Sequence, residues 1–402
     1  MNAMHYLKRT WAEIDLDAVE QNLLAIRNAA GGKRIIAVIK ADAYGHGAST
    51  IARLYNRLGV NAFAVSNIDE ARVLRVDEVK GDILILGYTP PEFAFELFEN
   101  SITQAVTDAT YAARLSENAC RAGVRIPVHV KIDSGMSRLG IVVRDEEDLP
   151  RAVEEIQKIA SLPGLSITGV FTHFSSADGS TEPGSADRVF TERQFRLFTA
   201  AVEAAEAAGV PMGTRHCSNS AAIINYPEFS LDAVRPGVIL YGYYPDSREA
   251  SPMREKLSLT PAMTLKTAVS QVKILPAGSE VSYGREFLAK EPVKSAVVSI
   301  GYADGYVRKN ASGGEMTVNG RPAKVLGRIC MDMCMLDVTG RDDVKEGDEV
   351  VVFGKGGQSL ERAALTSGTI NYELTCLIGK RVPRVFIKNG ETQHTQNLFL
   401  HL

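Results

Sequence analysis

Val38-Ile39-Lys40-Ala41-Asp42-Ala43-Tyr44-Gly45-His46-Gly47 continues the apolar run Ile35-Ile36-Ala37, so a short apolar segment ends on a lysine. An apolar run without alternation is the pattern of a strand covered on both faces. A lysine closing such a strand stands where a parallel barrel places its catalytic groups. Burial lowers the pKa of the amine and makes it available as a nucleophile. Taken alone, a lysine at a strand end more often just reaches solvent. The Gly45-x-Gly47 that follows permits a ligand to approach the backbone closely, but by itself it is only a turn. The rest of the chain decides the weight of this stretch.

Similar runs recur on both sides of it. Ile35–Lys40, Asn61–Asn67, Asp82–Tyr88, Ile102–Thr107, Pro127–Asp133, Leu165–His173, Thr214–Asn219 and Ala233–Gly242 read as strands. Helical periodicity lies between most of them. Ile51, Leu54, Tyr55 and Leu58 share one helix face and Gly59 follows as a stop; Phe195, Phe198 and Val202 repeat the pattern before Gly209. Upstream, Asp17 with Glu20 resembles a capping box opening a helix that buries Val19, Leu23 and Ile26. Strands alternating with helices in this number predict a (β/α)8 TIM-type barrel. A doubly wound sheet is the rival, but its G-x-G-x-x-G turn is missing after the first strand.

After Pro245 the texture changes. Asp246–Pro261 is polar and turn-rich and reads as a linker. Beyond it Met263–Leu275, Ser295–Ile300, Met316–Val325, Ile329–Val338 and Glu349–Phe353 read as strands, with Asn319-Gly320 as a hairpin turn. The expected organisation is a barrel over 1–247, a mostly-β C-terminal domain over 248–390 and a frayed polar tail over 391–402, with the first ten or so residues associating with the β domain.

Composition bounds the function classes. The chain has 402 residues, 45% hydrophobic and 23% charged, with 45 Lys+Arg against 48 Asp+Glu. The near balance argues against a nucleic-acid partner. No apolar run is long enough to cross a bilayer, and the N-terminus lacks the apolar core of a secretory signal. Cys120, Cys217, Cys330, Cys334 and Cys376 are odd in number and form no C-x-x-C pair, so neither a disulfide scaffold nor a metal site is expected. The expectation is a soluble cytoplasmic protein.

Polar residues fall at other strand ends. Lys131-Ile132-Asp133-Ser134-Gly135-Met136-Ser137-Arg138-Leu139-Gly140 follows the fifth strand, Thr172-His173 closes the sixth, His216-Cys217-Ser218-Asn219-Ser220 the seventh, and Arg235-Pro236-Gly237 the eighth. Each has an ordinary explanation. Arg138 suits a surface ion pair, His173 a satisfied core histidine, and Ser220 a helix cap. Five such residues at successive strand ends of one barrel are harder to explain that way.

These motifs, with VSYGR at 281–285, GRICMDM at 327–333 and INYE at 370–373, resemble those of the bacterial alanine racemases in order and spacing. The resemblance spans about residues 10–390. It implies a pyridoxal-phosphate-binding barrel, a β domain and a homodimer with shared sites. It also implies interconversion of L- and D-alanine, supplying D-alanine for peptidoglycan.

By the same resemblance, Lys40 carries pyridoxal phosphate and acts as one base. Tyr44, Asn219, Ser220, Gly237 and Tyr372 hold the cofactor, mainly at its phosphate, and Arg235 faces the pyridine nitrogen with His216 in support. His173 lies near the ring. Arg138 is placed near the phenolic oxygen and the substrate carboxylate, Met331 donates to that carboxylate from its backbone, and Asp332 supports the site. Lys131 matches a lysine often carbamylated, whose anion would hold Arg138. Tyr283 matches the second base and enters from the partner subunit. Asp178, Tyr302, Arg328 and Ile370 match residues of the substrate corridor. Racemisation takes a proton from one face of Cα and returns it on the other, which two opposed groups do most simply.

Other readings stay open at this point. A basic amino-acid decarboxylase of the same fold tends to carry a Gly-Gly-Gly loop, and no such triplet occurs here. A non-catalytic cofactor carrier would resemble the barrel alone. A racemase of lysine, serine or a broader set differs in pocket volume, which sequence does not show.

Overall fold

The computed structural model describes residues 6–397. Arg34–Ile35 with Ala37–Val38, then Ala62–Val65, Asp82–Ile85, Ile102–Val106, Ile126–Asp133, Leu165–Phe171 and Thr214–His216 are parallel neighbours in order round the barrel. Ala233–Val234 closes the ring by pairing in parallel with Arg34–Ile35. On its other side the N–H of Arg235 donates to the Ser218 carbonyl (2.8 Å) and that of Asp232 to Arg215 (3.1 Å). Nearly every apolar residue of these strands is buried, as strands covered by helices outside and by barrel packing inside require.

The helices follow their periodicity. Ala48–Arg57 buries Ile51, Leu54 and Tyr55, and Ala186–Ala207 buries Phe198 and Val202. The first helix, Leu16–Ala29, is capped two residues earlier than expected from Asp17 and Glu20. Its cap is Asp15, whose Oδ1 accepts from the N–H of Asp17 (2.9 Å) and of Ala18 (3.0 Å). The expected eighth strand is shorter than Ala233–Gly242. Pro236 has no N–H to extend a ladder, and Val238–Tyr241 turns into a 3-10 helix.

The second unit is built on a mixed nine-stranded sheet. Its long strand, Met263–Leu275, pairs antiparallel with Thr10–Asp15, Glu349–Phe353 and Val293–Val298. Thr10–Asp15 therefore sits inside this sheet although it precedes the barrel in sequence, and its other edge pairs in parallel with Arg384–Lys388. Glu315–Val318 and Arg321–Leu326 form the hairpin read from Asn319-Gly320, whose residues take φ of 48° and 73°. Two expectations are corrected here. Only Cys334–Asp337 of Ile329–Val338 is a strand; the residues before it form a loop. Glu391–Gln396 is an edge strand on Arg384–Lys388 rather than a frayed tail, and 398–402 lie outside the described residues. The helix Asn371–Cys376 leaves the β unit to cover the barrel mouth, with the Thr375 backbone directly against Gly45. Among the described residues no helix is long and apolar enough to cross a membrane.

Candidate active site

Lys40 does not simply extend the first strand. The chain turns at Ile39, and Ala41, Asp42, Ala43 and Tyr44 take φ of 51–55°. A left-handed turn of non-glycine residues costs roughly 1–2 kcal/mol per residue, so the surroundings must hold it. Glu70 accepts from the N–H of Ala41 and of Ser66, both at 2.8 Å, tying the turn to the next strand's end. Asp42 accepts from the N–H of Ala48 at 2.8 Å. The Nδ1 of His46 lies 3.0 Å from the carbonyls of both Ala43 and Tyr44, so it carries the proton and donates. The result fixes Lys40 at the C-terminal mouth of the barrel. Burial holds its amine below the ordinary lysine value, and the Arg138 cation lowers it further; Glu70 opposes both.

Lys40 lines a cleft of about 740 Å³ together with Tyr44, Lys131, Arg138, His173, Asp178, Asn219, Ser220, Arg235, Gly237, Ile370 and Tyr372. Twelve of the site residues read from sequence thus meet in one place. At one end the N–H of Gly237 donates to the Ser220 hydroxyl (2.8 Å), and the Tyr44 ring packs between Tyr241 and Tyr372, with centroids 5.2 and 6.1 Å away. A Cβ at Gly237 would lie 2.6 Å from the Tyr44 hydroxyl. Asn219 caps the short helix Ser220–Asn225 through the Ala222 N–H and donates to the Phe174 carbonyl at 3.1 Å. Hydroxyls and a backbone amide in a glycine-lined cradle suit a phosphate.

Deeper in the cleft lies Arg235, buried and surrounded by neutral acceptors. Its guanidinium donates to the His216 Nδ1 (2.8 Å) and to the carbonyls of His216 (2.8 Å), Thr172 (2.6 Å) and Cys217 (3.1 Å). Burial pulls its pKa down to about 10, which leaves it a cation at neutral pH. His216 and His173 are pushed well below the ordinary histidine value, first by burial and then by Arg235, so both are neutral. Lys131 is buried among these cations with its amine also pushed far down, chiefly by desolvation.

Tyr283, Met331 and Asp332 stand elsewhere. They line a separate cleft of about 540 Å³ on the β unit, and Tyr283 is 68% exposed. Tyr302 and Arg328 are in neither group; Arg328 pairs with Glu286 and lies over Gly284, next to Tyr283. The loop carrying Met331 is held by a charged cluster that motif reading missed. Buried Asp304 accepts two bonds from Arg9 (2.8 and 3.0 Å) and one from Arg381 (2.7 Å), and Arg381 also reaches Asp332 at 2.7 Å. Arg9 lies 295 positions before Asp304 and Arg381 77 positions after it, so no local pattern points to it. Glu70 was missed too, although a carboxylate one helical turn past a strand end is a visible signal.

A closed parallel barrel with a lysine amine at its mouth, joined to a β unit that covers that mouth, defines a two-domain barrel enzyme built round a lysine-centred cleft. Within that class the chain belongs to the alanine racemase family. The family models for the alanine racemase N-terminal and C-terminal domains match residues 14–245 and 262–386. An alanine racemase of Clostridium perfringens is 44% identical over 388 residues, covering 96% of this chain and 97% of the relative. One from Desulforamulus reducens is 42% identical over 378 residues, covering 94% and 98%. Among solved structures, the alanine racemase of Clostridium difficile 630 superposes with a TM-score of 0.89 at 38% identity, covering 98% of this chain and 99% of that one. That of Bacillus anthracis with bound L-Ala-P gives 0.89 at 31% identity, covering 99% and 100%.

Proposed function

We propose that this chain interconverts L- and D-alanine as a pyridoxal-phosphate-dependent racemase, with D-alanine for peptidoglycan made in the cytoplasm. The carrying observation is the cleft itself: an amine of lowered pKa on Lys40 faces a cation-lined wall and, at one end, a cradle that a single methyl at Gly237 would fill. That cradle fits the phosphate of the cofactor. Lys40, Tyr44, Asn219, Ser220, Gly237 and Tyr372 would hold it, with His173 beside its ring and Arg235 at its nitrogen. When bound, the cofactor supplies an electron-withdrawing ring that makes the alanine Cα proton removable.

The protein's own groups then divide the work. Arg138 offers a planar pair of donors to the substrate carboxylate. Lys40 takes or returns the Cα proton on one face. Arg235 would face the cofactor's ring nitrogen as a donor that keeps its proton, an arrangement that would weaken the electron sink and favour return of the proton to Cα over transamination. The opposite face needs a second group, and this chain's cleft is not lined by Tyr283. The exposed Tyr283 fits a homodimer in which Tyr283 of the partner subunit completes the cleft, with the partner's Met331 donating to the carboxylate and the partner's Asp332 in support. Asp178 and Ile370 from the same chain, with the partner's Tyr302 and the partner's Arg328, would line the entry. Incubation with L-alanine and added pyridoxal phosphate, followed by chiral analysis beside lysine and serine, tests the assignment. Formation of D-alanine faster than the other D-isomers is expected; its absence overturns it.

A further inference from the structure

We propose that His129 is a positioning residue that acts through His216 on Arg235, so that a line of three side chains runs down the barrel interior from the cleft. This rests on the reading of Arg235 as the donor to the cofactor's ring nitrogen. The His216 Nε2 lies 2.9 Å from the His129 Nδ1, and the two rings have centroids 5.0 Å apart. Arg235 fixes the direction of the chain. A guanidinium only donates, so the His216 Nδ1, 2.8 Å from it, must be the unprotonated nitrogen. A neutral His216 then carries its proton on Nε2 and donates it to His129, whose Nδ1 accepts.

The fold is shaped for this contact. Gly169 is the register partner of His129 on the adjacent strand, and a Cβ there would come within 2.6 Å of the His129 ring. The pairing between these strands also shifts register between Val128 and His129. Phe171 stacks on His216 at 5.0 Å and 5°, which leaves the ring little freedom to turn. Burial pulls His129 down to about 4 and the cations of Arg34 and Arg235 add to it, while the Asp82 carboxylate opposes them. Both imidazoles therefore stay neutral at physiological pH.

The physical consequence concerns a buried cation whose described hydrogen-bond partners include no carboxylate. Each hydrogen bond along the line polarises the next, so acceptance by His129 makes the His216 Nδ1 a better acceptor for Arg235. Without His129, the His216 tautomer with Nδ1 protonated becomes accessible, and it would present a proton to a donor.

The test uses His129→Leu and His129→Asn, the latter keeping an acceptor near the Nδ1 position. In the protein without cofactor, 15N NMR of labelled histidines should show His216 with Nδ1 unprotonated, and His129→Leu should shift that signal. With cofactor, His129→Leu should raise the ratio of transamination to racemisation and lower kcat by about ten- to a hundredfold, the loss expected of a small misplacement. His129→Asn should restore most of both. A protonated Nδ1 on His216, or His129→Leu moving neither the signal nor the ratio, overturns the proposal. Arg235→Lys separates the two readings. If it alters the ratio while His129→Leu does not, the line fails and the Arg235 reading stands; if it leaves the ratio unchanged, the Arg235 reading itself fails.

Discussion

The amine of Lys131 lies 4.5 Å from the centroid of the Phe171 ring, and no described residue accepts a hydrogen bond from it. A buried donor in that position is expensive unless it changes state. Desolvation, with Arg235 and Arg138 adding to it, holds the amine well below the usual lysine range, which favours its neutral, nucleophilic form. Addition of carbon dioxide to that nitrogen, with loss of one proton, gives a carbamate whose anion answers both neighbouring cations. A carbonyl signal from 13C-labelled bicarbonate should appear by NMR and vanish in Lys131→Ala. That variant should also lose about tenfold in kcat/KM, because Arg138 loses a charge-assisted partner. No labelled signal together with full activity would rule the carbamate out.

The same burial predicts a stability cost. The unfolded amine holds its proton up to about its ordinary value of 10.5, while the folded one releases it far lower. Between those two pH values the unfolded chain binds more protons, so stability rises as pH rises through the window. In bicarbonate-free buffer, Lys131→Met should flatten that rise and stabilise the apoprotein at neutral pH by about 1 kcal/mol or more. Urea denaturation across the pH range reads both effects. Equal slopes in the two proteins would mean that Lys131 is not desolvated in solution.

What the sequence could and could not say follows from the range of the forces involved. Asn319-Gly320 announces its turn because both residues tolerate positive φ, and Met263–Leu275 and Glu349–Phe353 keep their bounds because strand propensity is continuous through them. The strand-end residues of the cleft were legible because a parallel barrel puts all such ends on one face. The left-handed turn after Lys40 was not, since Ala41, Ala43 and Tyr44 have no local preference for it; Glu70 and the Thr375 backbone, both distant in sequence, hold it. The chain's start was expected to associate with the β domain, but not where: Thr10–Asp15 enters the middle of its sheet, between Met263–Thr267 and Arg384–Ile387, partners that come much later. His129 could have been read: it is two residues before Lys131 in one strand, hence on the same face.

At Gly237 the limiting quantity is space. A Cβ there would meet the Tyr44 hydroxyl at 2.6 Å and its ring carbon at 3.3 Å. Gly237→Ala should therefore weaken pyridoxal phosphate binding by about tenfold or more, in line with roughly 1–3 kcal/mol for an overpacked methyl. The far-ultraviolet circular dichroism should not change. Tyr44→Phe removes both a phosphate contact and the atom in collision, so it should cost less binding in the Gly237→Ala background than in the parent protein. If the two losses simply add, the cradle is not limited by this contact.

Tyr283 and Lys40 give the sharpest test because their expected losses differ in kind. Tyr283 follows Ser282, a non-glycine residue at φ 67° whose hydroxyl is tied to the Arg328 carbonyl at 2.7 Å, so the turn presents the ring outward. If its hydroxyl serves one face of Cα and Lys40 the other, Tyr283→Phe should slow solvent exchange of the L-alanine proton far more than that of D-alanine. Lys40→Ala should instead abolish the visible absorption of the bound cofactor. Each variant alone should be inactive as a racemase, yet with sites shared across a homodimer a mixed dimer would hold one site with neither change. Random exchange of subunits in an equal mixture puts about a quarter of all sites in that state, because half the dimers are mixed and each has one intact site. Activity returning toward that fraction after mixing would assign the two groups to different chains. Equal slowing of both isomers would remove Tyr283 as a one-face base, and no recovery after confirmed exchange would require each site to be built within one chain.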